Sequence, residues 1–372
     1  MKITRVEAIE VRLPESEMER KASAAQDALI IRIHTDAGIS GIGEVDSVPR
    51  VAKAAVEAPM SHSVASGLGR LIVGMNPLDI EVINEKLYQS TFYYGRRAVV
   101  VHTIGGIDMA LWDIAGKYFK QPVYQLLGGA FHKRIRAYAS DLFGRNGKET
   151  REKAKKWIDR GFTAVKFGWD PMGQSEKLDL ELVEGARLGV GEKNDVLIDA
   201  GCCWDTKTAK IRARQFEAYR ILWLEEPLSQ DNLEGYRELS QVSNLPIAAG
   251  EGEGGIHAWR DLIERGGIDI AQVDLARNGF TVSRKIADLA EMRGLKVVNH
   301  FYSTPINLAA GLHWLVSRKS AFIFEFCIEE NPIRQKIAKP DIPVVDGHIT
   351  VSEEPGLGIE LDEEAVARYR IG

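Results

Sequence analysis

The sequence of 372 residues contains few cysteines: only Cys202, Cys203 and Cys327. They are too few and too irregularly spaced for a disulfide framework or a CxxC zinc site, and an adjacent pair is a poor disulfide candidate. This usage predicts a reducing, cytoplasmic setting.

An excess of one charge sign is also missing. The 48 basic and 53 acidic residues give a net charge of −5, and no long run has a single sign. The usual electrostatic argument for a nucleic-acid or anionic-membrane partner is therefore absent, and we expect neither.

No apolar stretch approaches the roughly 20 residues of a membrane-spanning helix. Residues 1–14 alternate like a strand and lack the apolar run of a signal peptide.

Two kinds of pattern divide the first third of the chain. Residues 1–45 alternate in hydrophobicity and contain glycines at 38, 41 and 43, which predicts antiparallel strands. Residues 50–127 have helical spacing of apolar side chains. We predict an α+β domain over residues 1–130. The polar segment 14–27 fits a solvated loop and a flap over a site equally well.

From about residue 131 the chain repeats one unit. Eight short apolar runs alternate with amphipathic helical segments, and seven of the runs end in an ionisable residue. The landmarks stand 33, 26, 26, 23, 26 and 25 residues apart: Lys166, Asp199, Glu225, Glu251, Asp274, His300 and Glu325. This period predicts an α/β fold with a (β/α)8 barrel of parallel strands over residues 131–328. We expect the C-terminal segment 329–372 to return to the first domain without adding a barrel strand.

Three carboxylates would end successive strands of this barrel: Asp199, Glu225 and Glu251. Crowded carboxylates repel one another unless a cation lies between them. Oxygen-only ligands suit Mg²⁺ better than Zn²⁺, since no His or Cys belongs to the set. The alternative is that some of them form salt bridges with barrel lysines.

Asp274 and His300 would end the sixth and seventh strands. A carboxylate beside an imidazole fixes its tautomer and raises its basicity, which favours a general base over a merely structural histidine. Lys166 ends strand two in this prediction and could hold a substrate carboxylate, act as a second acid/base, or neutralise the carboxylates. Glu325 ends strand eight and could hydrogen-bond the substrate if protonated, or be an ordinary surface acid.

The ordered motifs resemble the enolase superfamily, specifically its mandelate racemase branch. GGIDMALWDIAGKYFKQPVYQLLGG resembles the central capping helix and the link to the barrel. VLIDAG, WLEEP and AAGEG resemble the three metal-ligand strands, and QVDLARNGF and VVNHF resemble the strands that carry the Asp-His dyad. The closing PGLGIELDEE is also typical, so the resemblance spans essentially the whole chain.

The resemblance implies a modified TIM barrel beneath an α+β capping domain, with proton removal α to a carboxylate beside Mg²⁺. It assigns Asp199, Glu225 and Glu251 to the metal, and the first acid of WLEEP is the ligand, so Glu226 would lie beside the site. It further implies His300 as the base held by Asp274, with Glu325 on the intermediate. The flap, with Tyr93, Tyr94 and Arg96, would close over the substrate, and homo-oligomers (dimers or octamers) are common.

One departure from the branch bears on the reaction. Many members have Lys-x-Lys on strand two, whereas this chain has Lys166-Phe167-Gly168. Racemisation needs groups on both faces of the α-carbon, but one base and a metal suffice for β-elimination. We therefore expect an acid-sugar dehydratase that converts an aldonate or aldarate to a 2-keto-3-deoxy acid. The alternatives are a racemase, epimerase or cycloisomerase using Lys166, and a non-catalytic binding protein on the same scaffold.

Overall fold

The computed structural model describes residues 1–14 and 26–371, so most of the predicted flap at 14–27 lies outside the described residues. The chain begins with a three-stranded antiparallel sheet in the order β1-β2-β3. The strands are β1 (Ile3–Arg12), β2 (Asp27–Thr35) and β3 (Ser40–Val45). Gly38 has φ of 74°, which a glycine adopts without strain in the tight connection between β2 and β3.

Five helices complete this first unit and cover one face of the sheet. They are α1 (Pro49–Glu57), α2 (Leu68–Ile72), α3 (Ile80–Gln89), α4 (Val99–Phe119) and α5 (Val123–Leu126). The expectation that no apolar segment reaches membrane-spanning length is wrong for α4, whose mean hydropathy is 1.2 over an 18-residue window. That window is 94% buried inside the protein, as befits the central helix of a core.

Eight parallel strands then form the predicted barrel. They are β4 (Arg134–Leu142), β5 (Ala164–Gly168), β6 (Asp195–Asp199), β7 (Leu224–Glu225), β8 (Ile247–Ala249), β9 (Ile270–Val273), β10 (Lys296–Asn299) and β11 (Phe324–Cys327). Neighbours pair in chain order from β4 to β10, and β11 pairs with β4. The ring is closed by a parallel bridge between Val297 and Ala321 and by the Asn299 side chain, which donates to Glu325 O and accepts from Glu325 N.

Seven helices connect these strands on the outside. They are α6 (Gly147–Asp159), α7 (Glu176–Val190), α8 (Thr206–Phe216), α9 (Leu233–Ser240), α10 (Ile256–Asp261), α11 (Leu275–Met292) and α12 (Pro305–Val316). Side chains of Asn146, Ser175 and Asp205 accept hydrogen bonds from the backbone at the first turns of α6, α7 and α8. The alternation of strands and helices predicted from the repeat is thus confirmed.

The C-terminal segment makes contacts with both units. It contains α13 (Pro332–Lys336), α14 (Glu363–Tyr369), and the short strands β12 (Ala338–Lys339), β13 (Val344–Val345), β14 (His348–Thr350) and β15 (Glu360–Leu361). A two-residue turn at Asp346-Gly347, both with positive φ, joins β13 to β14. The expectation that no further strand joins the barrel sheet is wrong, because β14 pairs antiparallel with β4. The final residues reach the first sheet, where Ile371 N donates to Glu10 O.

Asp113 on α4 ties three parts of the chain together. Its fully buried carboxylate accepts hydrogen bonds from Ile42 N at 3.0 Å and Leu357 N at 2.9 Å. Lys117 Nζ lies 2.9 Å from the same group. The central helix is thereby connected to the first sheet and to the C-terminal segment through one side chain.

We expect Asp113→Ala to lower the free energy of unfolding by roughly 2–4 kcal/mol, because it leaves two buried N–H groups without acceptors. Chemical denaturation monitored by circular dichroism measures this. The control is Glu353→Ala, which removes a solvent-screened ion pair with Lys133 at the surface and should lower the stability much less. Equal effects of the two variants would contradict the role given to Asp113.

Candidate active site

Three carboxylates meet at the carboxyl end of the barrel. Asp199 ends β6, Glu225 ends β7, and Glu251 follows β8 by two residues. Each offers an oxygen, and the three oxygens lie within 4.8 Å of one another. All three side chains are buried, so their mutual repulsion is poorly screened by water. The oxygen-only donor set and its spacing fit a hard divalent cation, and these acidic groups could hold a metal.

Lys166 lies deeper in the barrel than the sequence pattern indicates. It stands two residues before the end of β5 and is 2% exposed. Its Nζ lies 2.5 Å from Glu225 Oε1 and 2.7 Å from Glu325 Oε1. Glu325 is likewise inside β11 rather than at its end, and its other oxygen accepts from Phe301 N at 2.7 Å. The prediction that both residues end their strands is therefore wrong, although both converge on the carboxylates.

The charges of this cluster shift one another's protonation. Burial, with the neighbouring Glu225 carboxylate, raises the pKa of Asp199 well above its ordinary value. Burial also raises the pKa of Glu225 to about 7, against the opposing charge of Lys166. For Lys166, burial alone lowers the pKa, but the charges of Glu225 and Glu325 outweigh it and raise the pKa. The cluster thus resists full ionisation in the absence of further positive charge.

His300 and Asp274 form the predicted dyad. Nδ1 of His300 lies 2.6 Å from Asp274 Oδ2. The other oxygen of Asp274 accepts from Ala276 N at 2.7 Å and from Asn307 Nδ2 at 3.1 Å. The carboxylate therefore cannot rotate away without losing three contacts. This arrangement directs Nε2 of His300 outward, and that atom lies 3.5 Å from Glu251 Oε2.

The protonation of His300 follows from these neighbours. Burial alone lowers the pKa of the imidazole, but the charge of Glu251 and the hydrogen bond to Asp274 outweigh it and raise the pKa to about 10. For Glu251, burial alone raises the pKa, but the positive charges of His300 and Lys166 outweigh burial and lower the pKa below its ordinary value. His300 and Glu251 thus stabilise each other as an ion pair in this state.

A cavity of about 520 Å³ opens directly above these groups. Barrel residues on its wall include Lys166, Asp199, Glu251, His300 and Tyr302. The first unit supplies the rest of the wall: Asp27, Ala28, Glu44, Val45, Asp46 and Ser47. The cavity is thus shaped by both units and is large enough for a small carboxylic acid.

Two acidic residues of the first unit reach the barrel and were missed by the sequence analysis. Glu44 accepts hydrogen bonds from the backbone and hydroxyl of Thr304 and from Asn307 N, at the start of α12. Asp46 lies 3.0 Å from Arg277 Nη2 and within 4.8 Å of the His300–Asp274 pair. Glu44 lies within β3 and Asp46 follows it directly, and their position against the barrel depends on contacts more than 200 residues apart along the chain.

Glu226 lies beside the three carboxylates, as expected. It is buried, and its oxygens contact Gln230 Nε2 and Cys202 Sγ at 3.2 Å and 3.4 Å. Burial and the charge of Glu251 raise the pKa of Glu226 to about 7. Glu226 also lines the cavity, so it adds a fourth buried acid beside Asp199, Glu225 and Glu251, which together are called the triad below.

Tyr93, Tyr94 and Arg96 were expected to close over the substrate, and the structure corrects this. Tyr93 is 71% exposed, and its ring packs against Phe92 and His62. Tyr94 donates to Ser66 O within the first unit. Arg96 lines a different, smaller cavity of about 120 Å³ between α3, α4 and α11. Among the described residues, none of these three lines the cavity above the carboxylates.

Gly168 explains the missing second lysine in steric terms. A Cβ atom at this position would lie 2.8 Å from both Cβ and Oδ2 of Asp199. Real Cβ contacts are not this short, so any side chain at 168 would displace Asp199 from the triad. Within the described residues, the face of the cavity formed by β5 therefore presents Lys166 as its basic side chain.

The family now follows from comparison of the whole chain. Residues 149–365 match the family described as "Enolase C-terminal domain-like", and residues 2–128 match "Mandelate racemase / muconate lactonizing enzyme, N-terminal domain". The chain belongs to the mandelate racemase/muconate lactonizing enzyme family of the enolase superfamily. The predicted fold class is thereby confirmed.

Similar proteins act on sugar acids or their cyclic forms. A D-galactonate dehydratase of Pectobacterium atrosepticum is 34% identical over 353 residues, covering 91% of this chain and 90% of the relative. A D-galactarolactone cycloisomerase of Agrobacterium fabrum is 31% identical over 356 residues, covering 92% and 91%. The crystal structure of the 3,6-anhydro-D-galactonate cycloisomerase of Zobellia galactanivorans superposes with a TM-score of 0.90 at 28% identity, covering all of both chains.

We expect Gly168→Ala to weaken binding of a divalent cation by about 10- to 100-fold, because the new methyl group displaces Asp199. Isothermal titration calorimetry with Mg²⁺, and electron paramagnetic resonance with Mn²⁺, measure the affinity. The matched control is Gly311→Ala, whose Cβ would make an ordinary contact of 3.5 Å with Asn299. Unchanged affinity in Gly168→Ala would show that Asp199 is not a ligand or that β5 yields easily.

Proposed function

We propose that the protein is a Mg²⁺-dependent dehydratase of an acid sugar, an aldonate or aldarate. The observation that carries the proposal is the juxtaposition of three buried carboxylates with one Asp-oriented histidine, of which Asp199, Glu251 and His300 line the same cavity. The reaction removes the proton α to the substrate carboxylate and eliminates the β-hydroxyl, giving a 2-keto-3-deoxy acid and water. Named relatives with dehydratase activity on sugar acids support this reaction class.

Asp199, Glu225 and Glu251 would hold the cation. A bound Mg²⁺ would supply fixed positive charge beside the substrate carboxylate, where negative charge develops as the α-proton leaves. The preference for Mg²⁺ over softer ions rests on the oxygen-only ligand set. Lys166, already bonded to Glu225 and Glu325, would keep these two acids in place and add positive charge beneath the substrate. Glu325 would hydrogen-bond the substrate only after Lys166 moves from it.

His300 would act as the general base through Nε2. Asp274 fixes the tautomer, because Nδ1 faces its carboxylate and Nε2 faces the cavity. The imidazole must lose its own proton before it can accept one from the α-carbon. Glu251 and Asp274 raise the pKa of this imidazole, so the negative charge around His300 determines how readily it loses its proton.

The residues of β5 favour elimination over racemisation as the reaction. A two-base racemisation needs a proton donor on the other face of the α-carbon. At 168, where the resemblance would place a second lysine, a glycine is packed against Asp199. Lys166 is engaged with two carboxylates instead of pointing freely into the cavity. A one-base elimination needs no second base from either position.

A cycloisomerase is the second candidate, favoured by two named relatives of that activity. It would use the same proton abstraction and differ only in the leaving oxygen, which stays attached to the product as the opened ring. Mass spectrometry distinguishes the two reactions, since a dehydratase product is lighter by one water and a cycloisomerase product is not. A panel of aldonates, aldarates, their lactones and anhydro acids with Mg²⁺ in D₂O tests both.

We expect His300→Asn to abolish turnover, with at least a 10³-fold loss, and to abolish exchange of the α-proton with D₂O. Mg²⁺ affinity measured by calorimetry should remain within a few-fold of the unchanged protein, because Asn does not alter the triad. His132→Asn, at an exposed position, is the control for histidine replacement. Persistent α-proton exchange in His300→Asn would reject this base assignment.

The binding partner and the cellular location of the protein are also proposals. A small-molecule carboxylate is the partner that the cavity supports, and the free cysteines fit a cytoplasmic location. A homo-oligomer of two or eight subunits stays a prediction from the family resemblance. The domain limits at 130/131 and 328/329 also stay predictions.

A further inference from the structure

Elimination of an oxygen from the β-carbon requires a proton donor, because hydroxide or alkoxide is a poor leaving group. The base His300 accepts the α-proton, and the donor to the leaving oxygen has no assignment so far. The side chains on the cavity wall that carry a proton include Lys166, Cys202 and Tyr302. Their contacts distinguish them.

Lys166 and Cys202 are already engaged with the carboxylates. The Nζ group of Lys166 contacts Glu225 and Glu325, so two of its three protons are directed at carboxylates. The thiol of Cys202 lies 3.4 Å from Glu226 Oε2, and burial raises its pKa. Cys202 also stands on the β6 side, next to the triad, where the substrate carboxylate would bind rather than the β-carbon.

Tyr302 differs from both. Its ring lies nearly parallel to that of His300, with an interplanar angle of 17° and centroids 6.1 Å apart. Its hydroxyl oxygen accepts a hydrogen bond from Ser140 Oγ at 3.1 Å. Within the described residues the phenol's own proton has no acceptor, so it is available to a molecule in the cavity. Burial raises the pKa of Tyr302 well above 10, which keeps the phenol protonated.

The position of the phenol around the barrel suits the β-carbon. Ser140, which holds the phenol oxygen, lies on β4 and pairs with Lys166 on β5. β4 is two strands from β6, three from β7 and four from β8, so Ser140 lies across the eight-stranded ring from Glu251 and nearer to Asp199. A substrate whose carboxylate binds beside Glu251 would extend its β-carbon toward the wall that carries Ser140 and Tyr302, with His300 beside the α-carbon.

A second contact fixes the loop that carries Tyr302. Arg334, from α13, donates to Tyr302 O at 2.9 Å and to Ser303 O at 3.0 Å. Its guanidinium group also lies 5.8 Å from the centroid of the Tyr302 ring. Since these are charge-assisted contacts of a buried arginine, the phenol has little freedom to leave the cavity wall.

We propose that Tyr302 is a catalytic residue that donates its phenolic proton to the leaving oxygen of the substrate. The inference rests on the proposed elimination and adds the acid to the base. His300 Nε2 takes the α-proton first, and the electron pair of the Cα–H bond moves onto the substrate carboxylate. The return of this pair then forms the Cα–Cβ double bond as the Cβ–O bond breaks. The leaving oxygen takes the Tyr302 proton and departs as water, or as the ring-opened hydroxyl in a cyclic substrate. The enol product ketonises, and the tyrosinate regains a proton from the imidazolium through cavity water.

The test is Tyr302→Phe, which keeps the ring and removes only the hydroxyl. Elimination should fall by about 10²- to 10⁴-fold. Exchange of the substrate α-proton with D₂O, measured by NMR on the recovered acid, should stay within a few-fold because His300 is unchanged. A substrate with fluorine on the β-carbon should restore elimination to within about tenfold of the unchanged protein, since fluoride needs less protonation to leave.

Two further variants separate proton donation from support of the fold. Tyr369→Phe, in the C-terminal helix, controls for loss of a buried phenol and should leave both rates unchanged. Ser140→Ala should slow elimination less than Tyr302→Phe, and the double variant should be no slower than Tyr302→Phe alone, because both act through one hydroxyl.

Each outcome decides between the claims. Undiminished elimination in Tyr302→Phe overturns the proposal, and so does equal loss of exchange and elimination without rescue by the fluorinated substrate, which would make Tyr302 a positioning residue. If the unchanged protein neither exchanges nor eliminates with any acid sugar or lactone of the panel, the proposed function fails and this inference falls with it.

Discussion

The crowding of buried negative charge at the mouth of the barrel constrains the rest of the site. Asp199, Glu225 and Glu251 lie within a few ångströms of one another, and Lys166 is the buried amine that faces them. In a medium that screens charge poorly, such a group is unfavourable unless it binds a cation or takes up protons. Only strand ends held rigidly by the barrel can keep these side chains together. The close approach of the three acids is thus set by the backbone rather than by any one side chain.

The first unit contributes to this electrostatic balance as well as to the shape of the cavity. Glu44 accepts hydrogen bonds from the backbone N–H groups of Thr304 and Asn307 at the N-terminus of α12, although burial raises the pKa of its carboxyl group to about 8. Asp46 bonds to Arg277, whose guanidinium group lies beside the Glu251 loop. Two carboxylates of one strand end are therefore bound by the barrel itself. The shape of the cavity therefore depends on how the two units pack against each other.

The sequence allowed the fold and much of the site to be predicted, for a physical reason. Strands buried on both faces are continuous apolar runs, and regular helices between them produce a period that also locates the strand ends. Glu44, Asp46 and Tyr302 were missed because their partners are distant in the chain or lie in loops without periodicity. Tyr93 was expected to cover the substrate but lies away from the cavity, because composition does not show the direction in which a loop side chain points. The depth of Lys166 was also missed, since apolar runs mark a strand but not its last paired residue.

The packing of Gly168 against Asp199 has a consequence for the evolution of the chain. A lysine at this position would serve a different reaction, but it cannot be accommodated while Asp199 keeps its place. The first substitution along that route would damage the existing site before it supplied a new one. Movement of β5 or β6 would have to come first, so the change needs at least two mutations, and the first of them is unfavourable. This glycine makes the present arrangement of the site difficult to change by single steps.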